Sequence, residues 1–391
     1  MLSIGHLKTI YGNEETLIIL ITRLYFDKQS VGEVNDFLEK EEINWLLFYK
    51  LVQLNDIRGF VYEIVITSNI SIDQSVFNAL KKDTVGIILF GKYQLQLLNH
   101  LSQQFSNLGI RVINYKGVRF ANRYYRSLSM RESADIDFLI KKDDLSKLRE
   151  CLLSNDFIST YDVSEHQIGF LKKYQRELSL KSPKDKLGIN CSVELQWKLV
   201  ENYFGKFYEY DFLAKHLTHD SNGTISMALS PTYDFLCIAS HHLIREPLLK
   251  FKYLIDLACI IDKSGKNLNW EEIAAGFKRY KFSPFLWSGV NALEEIVGIK
   301  IPLSEKPAIK YHLFSFMKAK NDRENLFKKI KLIGLKLDFT ERIKFKVKAY
   351  SWLLVPNTND LSLTDKPAWA IPLIIPTKSF KLFYSFLFNK R

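Results

Sequence analysis

Cysteine is scarce in this 391-residue sequence: Cys151, Cys191, Cys237 and Cys259 are all there are, and no two form a Cys-x-x-Cys pair. That excludes a disulfide framework and the ligand spacing of a zinc site. Three fall in apolar periodic stretches and Cys191 on the apolar side of a strand candidate, so they read as small core residues in a reduced, cytoplasmic protein. Also missing is a basic segment followed by a long apolar run and a small-residue cleavage site, so no signal peptide is expected. The apolar run at 17–21 falls far short of the ~20 residues needed to cross a bilayer, so no transmembrane segment is expected. Internal repeats and low-complexity segments are absent too.

What is present is the balance of a folded protein, with 47% hydrophobic and 25% charged residues. Aromatics make up 14%, with 28 Phe and 19 Tyr, enough to fill large cores. The length implies two or three packed units. The formal net charge is +12, and much of it is concentrated: residues 306–348 hold 13 Lys or Arg against 4 Asp or Glu. Such a segment attracts RNA, another polyanion or anionic lipid, and it equally fits a solvated helical face. The aromatic tail at 369–388 is broken by Pro372, Pro376, Lys378 and Lys381. It packs on its own domain in the favoured reading, and touches a membrane surface peripherally in the other.

Apolar residues at helical spacing predict helices at 15–25, 31–40, 45–54 and 75–105, making 1–108 an N-terminal helical region. The run 85–90 fits helix or strand. Short β-branched or alternating runs at 110–115, 134–140, 175–181 and 189–196 predict strands, with a helix from Asp143 to about Ser154, so 109–204 reads as a compact α/β core. From 205 to 391 the chain reads as helical again, with helices starting at Pro231 and covering 251–261 and 270–280.

The chemistry concentrates in Ala134-Asp135-Ile136-Asp137-Phe138-Leu139-Ile140. Residues two apart on a strand share a face, so Asp135 and Asp137 project together while Ile136, Phe138 and Ile140 line the other side. Adjacent carboxylates resist joint ionisation, and a divalent cation with oxygen ligands removes that conflict. By the same alternation, Ile189, Cys191, Val193 and Leu195 form one face of a later strand, and Asn190, Ser192, Glu194 and Gln196 the other. If the two strands are neighbours, Asp135, Asp137 and Glu194 meet as metal ligands and catalytic acids suited to phosphoryl transfer. An Asp-x-Asp pair also fits a merely solvated strand. Its surroundings favour chemistry: Tyr115-Lys116-Gly117 leads from a strand candidate into a helix, presenting N–H groups and a cation to phosphate, and Arg131 adds a second cation four residues before Asp135.

Together, Tyr115-Lys116-Gly117, Arg131-Glu132-Ser133-Ala134-Asp135-Ile136-Asp137 and Val193-Glu194-Leu195-Gln196-Trp197 resemble the uncharacterised nucleotidyltransferase family of the polymerase-β-like superfamily. That family shows a leucine-lysine-glycine turn, an arginine four residues before an Asp-x-Asp strand, and a later Glu followed by His-Trp. The resemblance covers about 110–200 and extends weakly through His242 and Asp256. It implies an α+β fold, a small mixed β-sheet core flanked by N-terminal and C-terminal helical regions. It further implies Mg2+ (or Mn2+) at Asp135, Asp137 and Glu194, with Glu194 helping to activate an acceptor hydroxyl. Lys116, Gly117 and Arg131 would bind the nucleotide. The reaction implied is transfer of a nucleoside monophosphate from ATP or another nucleoside triphosphate to a small-molecule hydroxyl, a tRNA or a protein. Two departures stand out: the superfamily's Gly-Ser turn is absent, and Gln196 occupies the place of the family's His.

His166 matches a family histidine or is an ordinary surface or core residue. His241 and His242 sit side by side on a helix, so at most one is expected to face a cleft. Asp256 reads as a buried anchor to the α/β core or as an exposed acid. Arg119, Arg123 and Arg126 either bind phosphate or RNA, or solvate a helix. The competing functional readings are a catalytically inactive nucleotide- or RNA-binding module on the same scaffold, and a membrane-surface accessory protein.

Overall fold

The computed structural model describes residues 1–160, 163–219, 227–303, 306–311 and 343–352, with Leu313, Gly334, Leu337 and Val355. The 369–388 tail and most of the basic 306–348 segment lie outside the described residues.

Six helices open the chain: α1 (Ile4–Tyr11), α2 (Asn13–Tyr25), α3 (Val31–Lys40), α4 (Trp45–Leu54), α5 (Arg58–Thr67) and α6 (Gln74–Asn107). Several start on side-chain caps. Ser30 and Glu33 form a reciprocal capping box, Asn44 accepts from the Leu47 N–H, and Asp73 accepts from those of Ser75 and Val76. The ambiguous run 85–90 lies inside α6.

The chain then builds a four-stranded mixed sheet from β1 (Asp135–Leu139), β2 (Ile158–Ser159), β3 (Glu177–Lys181) and β4 (Ser192–Gln196), in the order β1-β4-β3-β2. β1 and β4 are parallel; the other pairs are antiparallel. Before them comes α7 (Gly117–Tyr124), and between them lie α8 (Leu145–Leu153) and α9 (Glu165–Tyr174). The run at 110–115 forms only an isolated antiparallel bridge, Ile113 to Leu139, rather than the expected strand. One residue on, the Asn114 side-chain amide donates to the Asp137 carbonyl at 2.6 Å, and the chain then turns into α7, so no further ladder bond can form.

After the sheet come α10 (Tyr210–Leu213), the hairpin strands β5 (Leu217–His219) and β6 (Met227–Leu229), and then α11 (Pro231–Ala239), α12 (Phe251–Ser264), α13 (Trp270–Arg279) and α14 (Ser283–Ala292). The hairpin interrupts a region expected to be all helix. α11 and α14 each run on as a wider π-helical turn, Ser240–Arg245 and Leu293–Val297.

Two apolar clusters hold these pieces. Ile136, Phe138, Leu178, Leu180, Val193 and Leu195 cover one face of the sheet with the end of α6, α8 and α9. The second cluster joins the N-terminal helices to α11, α12 and α14, so the helices before and after the sheet share one core. The sheet's polar face is left to the site. No described helix is long and apolar enough to cross a membrane.

Candidate active site

Parallel pairing of β1 with β4 sets Asp137 opposite Glu194 in register, and Asp135 opposite Ser192. Because partners in register share a face, the three carboxylates converge, with a ligand oxygen of each within 4.8 Å of the others. Asp137 is completely buried, whereas Asp135 and Glu194 are half-buried.

Lys116, at the end of the bridge segment, places Nζ 2.8 Å from Asp137 Oδ1. Gln196 Nε2 donates to both Asp137 Oδ1 (2.6 Å) and Glu194 Oε2 (2.7 Å), while Tyr115 OH donates to Gln196 Oε1 at 2.7 Å. Gln196 therefore bridges two acids from one neutral side chain. Asp137 Oδ2 is buried and has no hydrogen-bond partner among the described residues.

The charges answer to this crowding. Burial raises the Asp137 pKa, Asp135 adds to the rise, and Lys116 opposes it. Burial, then Glu177 and Asp137, push Glu194 up to about 9. Burial alone would lower the Lys116 pKa, but Asp137, Asp135 and Glu194 outweigh it and hold the ammonium charged. Three carboxylates, one with an orphaned buried oxygen, fit a hard divalent cation, which takes oxygen ligands and relieves their repulsion.

Asp135 and Glu194 open into a cavity of about 300 Å³ that Lys116, Arg131, His241, His242, Arg245 and Lys252 help to line, with Asp137 sealed behind them. A larger cavity of about 440 Å³ lies past the ends of β1 and β4 and touches none of the three acids.

Gly117 opens α7 with φ +71°, and a Cβ there would stand 3.1 Å from the Asp135 carbonyl oxygen, so glycine is what lets the turn approach β1. No side chain caps this helix start. Arg131 is held rather than free: its Nε and Nη2 reach the two Asp256 carboxylate oxygens at 2.8 and 2.9 Å, and Nη1 donates to the Gly117 carbonyl at 3.1 Å. Asp256 is thus a buried anchor. Tyr125 OH and His242 Nε2 complete its shell at 2.6 and 2.7 Å, and Arg131 with His242 holds its pKa down against burial.

Arg119 and Arg123 pair with the buried Asp234 of α11, and Arg126 donates to the Tyr25 carbonyl at 2.8 Å. All three tie α7 and its exit to neighbouring helices. His166 falls on α9; its side chain lies outside the described residues.

Sequence reading passed over several groups. Glu177 lies on the polar side of β3, and Arg176 and Arg245 overcome burial to hold it down to about 2. The alternation applied to β1 and β4 would have found it. Lys250 and Lys252, at the start of α12, both pair with Asp56. Both His241 and His242 line the cavity, against the expectation of one, because they sit in the π-helical turn, where consecutive side chains diverge less.

No curated protein and no solved structure matches the chain. A family model described as uncharacterised nucleotidyltransferase matches residues 41–298, which include all the site residues above. The match supports generic nucleotidyl transfer, and the acidic triad could hold a metal ion. By that match, the chain belongs to the uncharacterised nucleotidyltransferase family.

Proposed function

We propose that this protein transfers a nucleoside monophosphate from a nucleoside triphosphate to an acceptor hydroxyl, with Asp135, Asp137 and Glu194 as the catalytic acids holding Mg2+ or Mn2+. The observation that carries the reading is the convergence of three acids from two strands, one of them with a buried carboxylate oxygen that has no hydrogen-bond partner among the described residues. When bound, the metal neutralises phosphate charge and aligns the reacting oxygens.

The chain's own residues do the rest. Lys116 stands beside Asp137 and meets the phosphates at the start of α7, which Gly117 lets pack close against β1. Arg131, fixed by Asp256, adds positive potential and braces the Gly117 turn. Arg245 and Lys252 supply further cations on the cavity wall. The acceptor is a small-molecule hydroxyl, a tRNA or a protein. An RNA role for the basic 306–348 segment, and a cytoplasmic location, belong to the same reading.

The test is transfer of label from α-labelled triphosphates to an acceptor, with release of pyrophosphate followed alongside, using Mg2+ and cell extract as acceptor source. Wild type is expected to label an acceptor. Asp137→Asn, which keeps the shape but removes the buried charge, is expected to lose at least about 100-fold of the rate. Triphosphate binding without turnover by wild type, across all four bases, would favour a nucleotide-holding module.

A further inference from the structure

Behind the acids lies a second line of polar contacts that the metal-centred reading does not use. Asp256 Oδ2 contacts His242 Nε2 at 2.7 Å, and His242 Nδ1 contacts His241 Nδ1 at 2.9 Å. Asp256 and His242 are sealed from solvent, and His241 is nearly so, but both rings line the cavity that holds Asp135, Glu194 and Lys116. Tyr253 stacks on His242 at 4.3 Å and meets His241 edge-on at 5.4 Å, fixing both ring planes.

The proton positions follow from donor counting. Asp256 receives Arg131 through two nitrogens, Tyr125 and His242, four contacts on two oxygens, which an ionised carboxylate alone can accept. His242 Nε2 must therefore carry the proton. In a neutral ring its Nδ1 is then the acceptor, so the facing Nδ1 of His241 must carry a proton in its turn. That leaves His241 Nε2 as a bare lone pair, with no hydrogen bond among the described residues and no place among the sealed unsatisfied atoms.

From this chain of contacts we infer that His241 is the base of the transfer reaction, with His242 and Asp256 as positioning residues that fix its tautomer. The inference rests on the nucleotidyltransferase reading above. The acceptor oxygen attacks the α-phosphorus, and its proton passes to His241 Nε2 as the new O–P bond forms. The bond from the α-phosphorus to the bridging oxygen breaks, and pyrophosphate leaves with that electron pair. His241 ends as an imidazolium whose Nδ1–H still donates to His242. Ser240–Arg245 is π-helical, and this local widening is what brings both rings into one cavity.

The groups around His241 keep the ring neutral before reaction. Burial, then Lys116, Arg245, His242 and Arg176 hold its pKa well below the usual imidazole value, while the acids Asp135, Glu194 and Glu246 share the cavity. The rate must rise with pH through that lowered pKa.

Two measurements test the inference. Long-range 1H–15N correlation on histidine-labelled wild type reads the tautomers directly, with the pair identified by coupling across its shared hydrogen bond. The expected pattern is Nδ1–H on His241 and Nε2–H on His242. A proton on His241 Nε2 at neutral pH overturns the inference without any variant having to fold.

In the α-labelled triphosphate assay at saturating Mg2+, which keeps the acids deprotonated, His241→Gln is expected to cost roughly 100- to 10,000-fold in rate and to remove the His241 limb of the profile. Binding of Mg2+ with a non-hydrolysable triphosphate should persist. His242→Gln keeps one donor and one acceptor and should retain rate and tautomer, whereas His242→Leu should lose both. Wild-type turnover with an unchanged profile in His241→Gln sinks the base alone. A wild type that turns over no triphosphate sinks the nucleotidyltransferase reading together with the base, even if the tautomers are as expected.

Discussion

Glu194 and Glu177 sit on one sheet face and titrate in opposite directions. Glu194 is pushed up to about 9 by burial, Glu177 and Asp137, against an ordinary value of 4.5. Glu177 is held down to about 2 because Arg176 and Arg245 outweigh its burial. The signs give two pH windows. For Glu194 the folded chain keeps a proton that the unfolded chain releases, so metal-free stability falls as pH rises from about 4.5 toward 9. For Glu177 the folded chain releases the proton sooner, so its contribution is present above about 4.5 and lost as pH falls toward 2. The expected result in EDTA is a lower urea midpoint near pH ~8.5 than near pH ~6, flattened in Glu194→Gln and by saturating Mg2+, which takes the proton's place. Equal pH slopes in wild type and Glu194→Gln would show that Glu194 is not carrying that proton.

Among the elements, the α7 turn bears most directly on the acids. Gly117 adopts a left-handed φ of +71° with the Asp135 carbonyl in the way of any Cβ. Gly117→Ala therefore combines about 1–2 kcal/mol of backbone strain with pressure on β1. Urea unfolding should show a loss of that size, and Mn2+ affinity should fall with it; a variant as stable as wild type would mean that the turn relaxes without moving Asp135. Much of this was legible beforehand. Alternation exposed β1 and β4 and set Asp135, Asp137 and Glu194 on polar faces, and Lys116-Gly117 stood out as a turn. Other features carry no local signal. β2 is two residues and β5 and β6 three each, too short for a period. The 110–115 run has strand composition, but Asn114 ends its pairing. π-turns share the apolar pattern of α-helices, so the pairing of His241 with His242 was hidden. The Arg131–Asp256 link joins residues 125 positions apart, which no window along the chain can see.

At the scale of the molecule, the site depends on helices that touch none of its acids. The family match begins at residue 41, yet Leu17, Ile18, Ile19, Leu20 and Ile21 of α2 are fully buried in the core shared with α12 and α14. Arg23, also buried, donates through Nε to the Ile296 carbonyl at 2.6 Å and through Nη2 to that of Glu295 at 3.1 Å, satisfying the π-turn that ends the matched region. Five fully buried aliphatic side chains contribute roughly 1.5–3 kcal/mol each. Their sum rivals the ~5–15 kcal/mol that holds a whole domain folded. Removing residues 1–40 also takes away Tyr25, which bonds Cys259 of α12, the helix that carries Asp256 and so the anchor of Arg131 and His242. The chain 41–391 should therefore lose its cooperative thermal transition, bind a hydrophobic dye and fail to bind Mn2+, whereas Arg23→Met in the full chain should fold with a lowered midpoint. A 41–391 chain that melts cooperatively at the wild-type temperature and still binds Mn2+ would place the matched region's stability within itself and leave the N-terminal helices as an appendage.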